Sequence, residues 1–386
     1  MTQSASQESA LYFHIPFCEK RCSYCDFYTV AKRSNAIPSY VEALLQEIKL
    51  YADNHHWQER TFSTIFFGGG TPSLLRAEQI DKILTAAKRS FQISSDAEIT
   101  MEMNPGTTTR ETMQGYRRAG VNRVSLGVQS FWPDELQQVD REHSVDDIHR
   151  SVADARDAEF ENISIDLIFA LPGQKPSRWK HNLEQAVGLK PNHISAYNLT
   201  IEDGTPLFKL LKAGKVKPLT ERQERPVYNF TIDFLARNGY EQYEVSNFAR
   251  PGSESRHNTK YWDGSHYLGL GASAHSFDGK RRFWNIDNYV HYIDKLKKGA
   301  LPIKNEEVLT EKQNRFEVIF LGLRRNIGVN IPEFDEKFSA NFLEDYAPQI
   351  KRLINAPAPL LKFTQDQLQL TREGLLLCDR VCAEFL

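Results

Sequence analysis

Six short apolar runs alternate with longer amphipathic stretches over the first half of the chain, and this rhythm constrains the fold more than anything else in the sequence. The runs lie at 11–17, 63–67, 98–102, 123–128, 163–169 and 193–199. Between them, at 38–51, 77–91, 109–119, 145–159 and 177–189, apolar residues recur at helical spacing. A helix between consecutive strands carries the chain back to the same end of the sheet, so the strands must pair in parallel. Runs rich in β-branched and aromatic residues fit strands buried on both faces. The expected fold is therefore α/β, a partial, open TIM-type (β/α)6 barrel, with functional residues at the C-terminal ends of its strands. The sequence contains no internal repeat and no low-complexity tract.

At 386 residues the chain has room for one large barrel unit and a smaller one. A 40% hydrophobic content can build a sizeable core, and a net charge of −2 gives no electrostatic basis for nucleic-acid binding. Five cysteines do not make a disulfide framework in a chain this long, and their clustering points to a reducing compartment and to metal. Residues 1–9 lack the basic and apolar regions of a signal peptide, and no 18-residue apolar stretch occurs. These features predict a cytoplasmic protein.

Cys18, Cys22 and Cys25 follow the first apolar run at a CxxxCxxC spacing. Cysteine thiolates on short loops hold iron–sulfur clusters. Three of them would hold three irons of a [4Fe–4S] cube and leave the fourth open to a chelating ligand, as a catalytic zinc site keeps an open position. Two plainer alternatives exist. His14 could join the thiols in a Cys3His zinc site, since strand alternation puts it on the same side. The three could also be buried structural thiols, but Glu19, Lys20, Arg21 and Asp26 are interleaved with them. Zinc alone gives no reason for the polar strand ends.

The second run ends in GGGTP at 68–72, where glycines let a backbone approach a ligand closely. Glu102 ends the third run, Gln129 the fourth, and Asp166 interrupts the fifth. One polar residue on a buried strand is usually a satisfied core group, but three on successive strands favour a polar pocket. Arg141 follows the fourth strand, and its planar guanidinium suits a carboxylate.

Taken together, the cysteine spacing and GGGTP resemble the radical S-adenosylmethionine (SAM) superfamily. The run 12–27, with Glu102, Gln129, Arg141 and Asp166, is similar to its HemN/HemW branch. That branch holds oxygen-independent coproporphyrinogen III oxidase and the HemW-type heme chaperones. The resemblance extends over most of the chain, including 268–275. It implies that Cys18, Cys22 and Cys25 ligate a [4Fe–4S] cluster and that Tyr12, Tyr24, Gly69, Gly70 and Thr71 line the SAM site. Glu102, Gln129 and Asp166 would hold the ribose region and Arg141 the carboxylate. Two departures separate the chain from the oxidase pattern. Phe27 stands where CxxxCxxCxC requires a fourth cysteine, and only 17 residues precede Cys18. The segment 257–262 matches the HNxxYW motif of the chaperones, which implies His257 as a heme residue, with His275 and His14 as candidate second ligands.

The expected function is that of a heme chaperone carrying a cluster and SAM. Coproporphyrinogen III oxidase and radical SAM methyltransferase are the alternatives. Expected partners are heme, a heme-acceptor protein and an electron donor for the cluster, with transient membrane contact through a partner. The barrel unit is expected over 1–300 and a mainly helical, winged-helix-like unit over 301–386. In the latter, helices are expected at 306–326 and 331–338, a hairpin at 360–370 and a last helix opening at 371–374. The region lacks a dense basic stripe, which argues against DNA binding and for covering the barrel or docking a partner. Cys378 and Cys382 share a helix face and read as core residues.

Overall fold

A computed structural model describes residues 8–386. The first seven residues, most of the stretch inspected for a signal peptide, lie outside the described residues. The six runs form strands β1 (Glu8–Ile15), β2 (Thr61–Gly69), β3 (Gln92–Met103), β4 (Arg123–Gln129), β5 (Asn162–Phe169) and β6 (His193–Asn198). Each pairs in parallel with the next. The helices between them, Ile37–Ala52, Ala77–Ser90, Arg110–Ala119, Val145–Asp157 and Pro176–Gly188, begin and end close to the expected bounds. Local chemistry sets those bounds. Thr109 caps the third helix through its hydroxyl and Gly120 ends it in a left-handed conformation, while Ser144 and Asp147 form a capping box at the start of the fourth.

Strand alternation divides the sheet into two faces of different chemistry. Leu11, Phe13, Ile65, Phe67, Ile99, Met101, Val124, Leu126, Ile163 and Ile165 join the helices in one apolar core. Their neighbours Thr64, Glu98, Thr100, Arg123, Ser125, Ser164, His193 and Ser195 are also buried, on the concave side. Both faces are buried as expected, but only the outer one is apolar.

The sheet continues past the six units. β7 (Glu241–Glu244) and β8 (Asn247–Ala249) add antiparallel strands beyond β6. On the other side β9 (Tyr267–Leu270) pairs in parallel with β1, and β10 (His275–Phe277), β11 (Arg281–Asn285) and β12 (Ile303–Val308) follow antiparallel. The resulting order of the twelve strands is β12-β11-β10-β9-β1-β2-β3-β4-β5-β6-β8-β7. Residues 306–308, expected to open a helix, are therefore part of an edge strand, and the helix runs over Glu311–Leu323 from a capping box of Thr310 and Gln313.

The C-terminal region is mainly helical, with a small sheet of β13 (Val329–Asn330), β14 (Leu361–Thr364) and β15 (Gln367–Leu370). Its own core gathers Ile319, Leu323, Phe334, Phe342 and Leu368 with Cys378 and Cys382. Arg372 ties it to the barrel helix Glu221–Arg237 through Asn229 (2.6 Å) and Asp233 (2.7 Å). Among the described residues, no helix is long and apolar enough to cross a membrane.

Candidate functional site

The C-terminal ends of β1–β6 open into a cavity of about 400 Å³ whose wall includes Cys18, Cys22, Cys25, Tyr24, Gly69, Gly70, Thr71, Glu102, Gln129, Arg141 and Asp166. Residues far apart in sequence converge because each lies on, ends or follows one of the parallel strands. The cysteine loop is closed at its base by a short parallel bridge between Phe17–Cys18 and Val30–Ala31. The GGGTP segment is stitched to that loop: the Gly70 N–H donates to the Ile15 carbonyl (2.8 Å) and the Thr71 N–H to the Phe17 carbonyl (2.8 Å). Gly69 takes a φ of +110°, which favours glycine, and donates its N–H to Glu102 Oε2 at 3.2 Å.

The sulfur atoms are not in an inert core. The Thr71 hydroxyl donates to Cys18 Sγ at 3.6 Å and Arg141 Nη1 to Cys22 Sγ at 3.4 Å. Arg141 also donates to Asn104 Oδ1 at 2.8 Å and to the Gly127 carbonyl, and the Asn104 amide donates to Thr71 Oγ1 at 2.9 Å. Burial raises the Cys18 thiol above its ordinary pKa and pushes Cys25 up to about 11. The donor set fits a metal cluster held through three thiolates, with hydrogen bonds to sulfur from Thr71 and Arg141. It does not assemble the zinc alternative. His14 turns Nδ1 to the Tyr12 hydroxyl (3.1 Å) and Nε2 to the Tyr28 carbonyl (2.9 Å), and burial lowers its pKa to about 4.

Across the cavity, Asp166 accepts from the hydroxyls of Ser125 (2.9 Å) and Ser195 (2.7 Å). Burial raises Asp166 against these two bonds. Burial first, and the neighbouring Asp166 second, push Glu102 up to about 8. Gln129 sits at a break in the β4–β5 register with a φ of +67°. Burial raises the Tyr24 phenol well above its usual range. Such a wall offers carboxyl, amide and hydroxyl groups to a polyhydroxylated ligand, and a guanidinium to an anion.

Two expected residues are not brought to this wall. Tyr12 lies on the concave face with its ring stacked near Phe66 (6.2 Å between centroids). His257, expected at a heme face, is fully buried on the helix Arg256–Trp262. Its Nδ1 meets the Thr64 hydroxyl at 2.9 Å and its Nε2 the Tyr261 hydroxyl at 3.0 Å. With both ring nitrogens engaged and its pKa lowered to about 3 by burial, it is a neutral structural residue in this conformation. Conversely, Asn104, Ser125, Tyr197 and Glu202 line the cavity and were not singled out from the sequence. Ser125 and Tyr197 carried a signal: they continue the same strand alternation that places Gln129 and Ser195 on the concave face.

Comparison with known proteins agrees with this geometry. The radical SAM superfamily matches residues 12–186 and the HemN C-terminal domain residues 309–377. The chain is 38% identical to the heme chaperone HemW of Lactococcus lactis, over 98% of this chain and 97% of that one. It is 37% identical to the heme chaperone HemW of Bacillus subtilis, over 97% and 98%. A zebrafish (Danio rerio) protein, radical S-adenosyl methionine domain-containing protein 1, mitochondrial, is 34% identical over 98% of this chain and 87% of its own. Among solved structures, the coproporphyrinogen III oxidase HemN of Escherichia coli superimposes with a TM-score of 0.84 at 26% identity, covering 98% of this chain and 90% of that one. Relatives this similar over nearly their whole length, joined to a three-thiol cavity at the strand ends of a partial barrel, make the chain a member of the radical SAM superfamily, in its HemN/HemW branch.

Proposed function

We propose that the protein is a heme chaperone that carries a [4Fe–4S] cluster and SAM and transfers heme to an acceptor protein. The observation that carries this reading is near-full-length similarity to proteins named heme chaperone HemW, together with the cysteine loop itself. Phe27, two positions after Cys25, is 62% exposed at the cavity mouth, where the oxidase pattern has a cysteine.

In this reading Cys18, Cys22 and Cys25 would hold the cluster, leaving one iron open to chelation by the methionine end of SAM. When reduced, such a cluster supplies the electron that cleaves SAM in radical chemistry. The chain's own residues bind and orient. Arg141, anchored by Asn104 and Gly127, offers its guanidinium to the methionine carboxylate. Thr71 and the carbonyls of the glycine segment face the amino group. Asp166, Glu102 and Gln129 present acceptors to the ribose hydroxyls. The heme acceptor and an electron donor remain partners of the proposed function, with any membrane contact made through them, and a net charge of −2 gives no electrostatic basis for nucleic-acid binding.

The test is anaerobic incubation of the cluster-loaded, heme-loaded protein with an apo heme-protein, followed by separation and absorption spectroscopy. Heme is expected to move to the acceptor, with no SAM-dependent conversion of coproporphyrinogen III in a parallel reaction. Conversion of two propionates to vinyls would instead establish the oxidase.

A further inference from the structure

The turn segment at 268–275 and one fully buried carboxylate have no part in the cavity. Glu47, on the helix Ile37–Ala52, accepts three hydrogen bonds: from the Tyr292 hydroxyl (2.6 Å), the Gly271 N–H (2.8 Å) and the Asn285 amide (2.6 Å). Tyr40 adds a second tie, donating to the His14 carbonyl and accepting from the Ala272 N–H, each at 2.8 Å. A buried carboxylate costs several kcal/mol unless it is partnered. A hairpin that had only to turn would not need one.

These bonds fix the turn after β9 and the end of β11, the two backbone segments that set His275 directly opposite Trp284. Their rings stack, with centroids 5.6 Å apart and planes at 18°. A Cβ at Gly269 would overlap the His275 carbonyl oxygen, so the glycine allows β9 and β10 to close. The His275 side chain is exposed and its ring nitrogens have no hydrogen-bond partner among the described residues. Partial burial and nearby Arg282 lower its pKa, which favours the uncharged imidazole. By contrast His14, His193 and His257 have both nitrogens engaged. Next to it, the buried Phe277 ring and Arg282 form a cation–π pair at 5.4 Å, and Arg282 is ion-paired with Glu317 at 2.9 Å, so this neighbouring part of the face is closed. The face therefore offers a free imidazole edge backed by a half-buried indole.

We propose that this face of the β10–β11 hairpin is where heme docks. His275 supplies an axial nitrogen to the iron, Trp284 backs the imidazole, and Glu47 is a positioning residue that holds the hairpin in register. An iron porphyrin is the ligand class that uses a free imidazole and an aromatic surface together. The proposal rests on the heme-chaperone reading and moves its heme contact from the buried His257 to an exposed histidine.

The experiment is an anaerobic titration of heme into the full-length, cluster-loaded protein and its H275A, E47Q and H257A variants, read by absorption and electron paramagnetic resonance. SAM binding and cluster content serve as controls for folding. H275A is expected to weaken heme binding about tenfold or more and to lose the imidazole-ligated spectrum, with added imidazole restoring it. E47Q should weaken binding while leaving the spectrum of the bound form unchanged. H275A with wild-type affinity and spectrum would overturn the proposal and leave the chaperone reading standing. A folded H257A that alone loses the spectrum would overturn it as well. Absence of heme binding in the wild type would overturn both.

Discussion

Glu102 shows how one side chain can be read from its surroundings. Burial first and Asp166 second hold its carboxyl at about 8 rather than the ordinary 4.5, while the Gly69 N–H pulls the other way. The folded protein thus keeps a proton that the unfolded chain releases. The stability this contributes is present below pH 4.5 and is lost as pH rises through about 8. The ligand-free wild type should therefore lose more thermal stability from about pH 5 to 8 than an E102Q variant, which cannot titrate there. Glu47 and Glu244, each raised to about 7 mainly by burial, act in the same direction in both proteins and cancel in the comparison. Equal slopes in the two proteins would show that Glu102 is already ionised. The sequence marked Glu102 because an acid on an apolar run needs a partner. It did not mark Asn104, which links Thr71 to Arg141 only after the loops have folded over it.

Among elements, the parallel strands were legible because strands buried against helices need continuous apolar residues on one face. β12 was not, since Ile303–Val308 is an exposed edge strand with charged residues and no apolar alternation to show its register. The helix Arg256–Trp262 was legible as a motif but not as a structure. It plugs the concave face: the Glu98 carboxylate accepts the N–H groups of Arg256 (3.2 Å) and His257 (3.0 Å), and the His257 ring is sandwiched by its two hydroxyl partners. Nothing in a linear spacing distinguishes a histidine that ligates iron from one that fills a barrel. H257A removes both side-chain hydrogen bonds and leaves a cavity, which should cost about 2–4 kcal/mol. The loss should appear as a lowered melting temperature in the heme-free protein. An unchanged melting temperature would show that the ring is not held in this way.

At the scale of the whole molecule, the barrel and the C-terminal unit meet through specific side chains. Arg372 reaches the helix Glu221–Arg237, and Arg324 lies over Trp262 (5.4 Å) while donating to Asp379 at 2.6 Å. Trp262 belongs to the same helix as His257, so the plug of the barrel is also a contact of the smaller unit. The chain thus joins a three-thiol cavity to an aromatic, histidine-bearing flank on one continuous sheet, with the cavity at the strand ends and the flank along β9–β11. A family scaffold of this kind specifies the cavity but not what the molecule does with it. The measurement that bears most directly on the account is the stoichiometry of heme binding by the cluster-loaded protein under anaerobic conditions. Saturable binding of one heme per chain is expected, with cluster absorption retained. A titration that shows only non-saturating association, in protein whose cluster and SAM binding are intact, would contradict it.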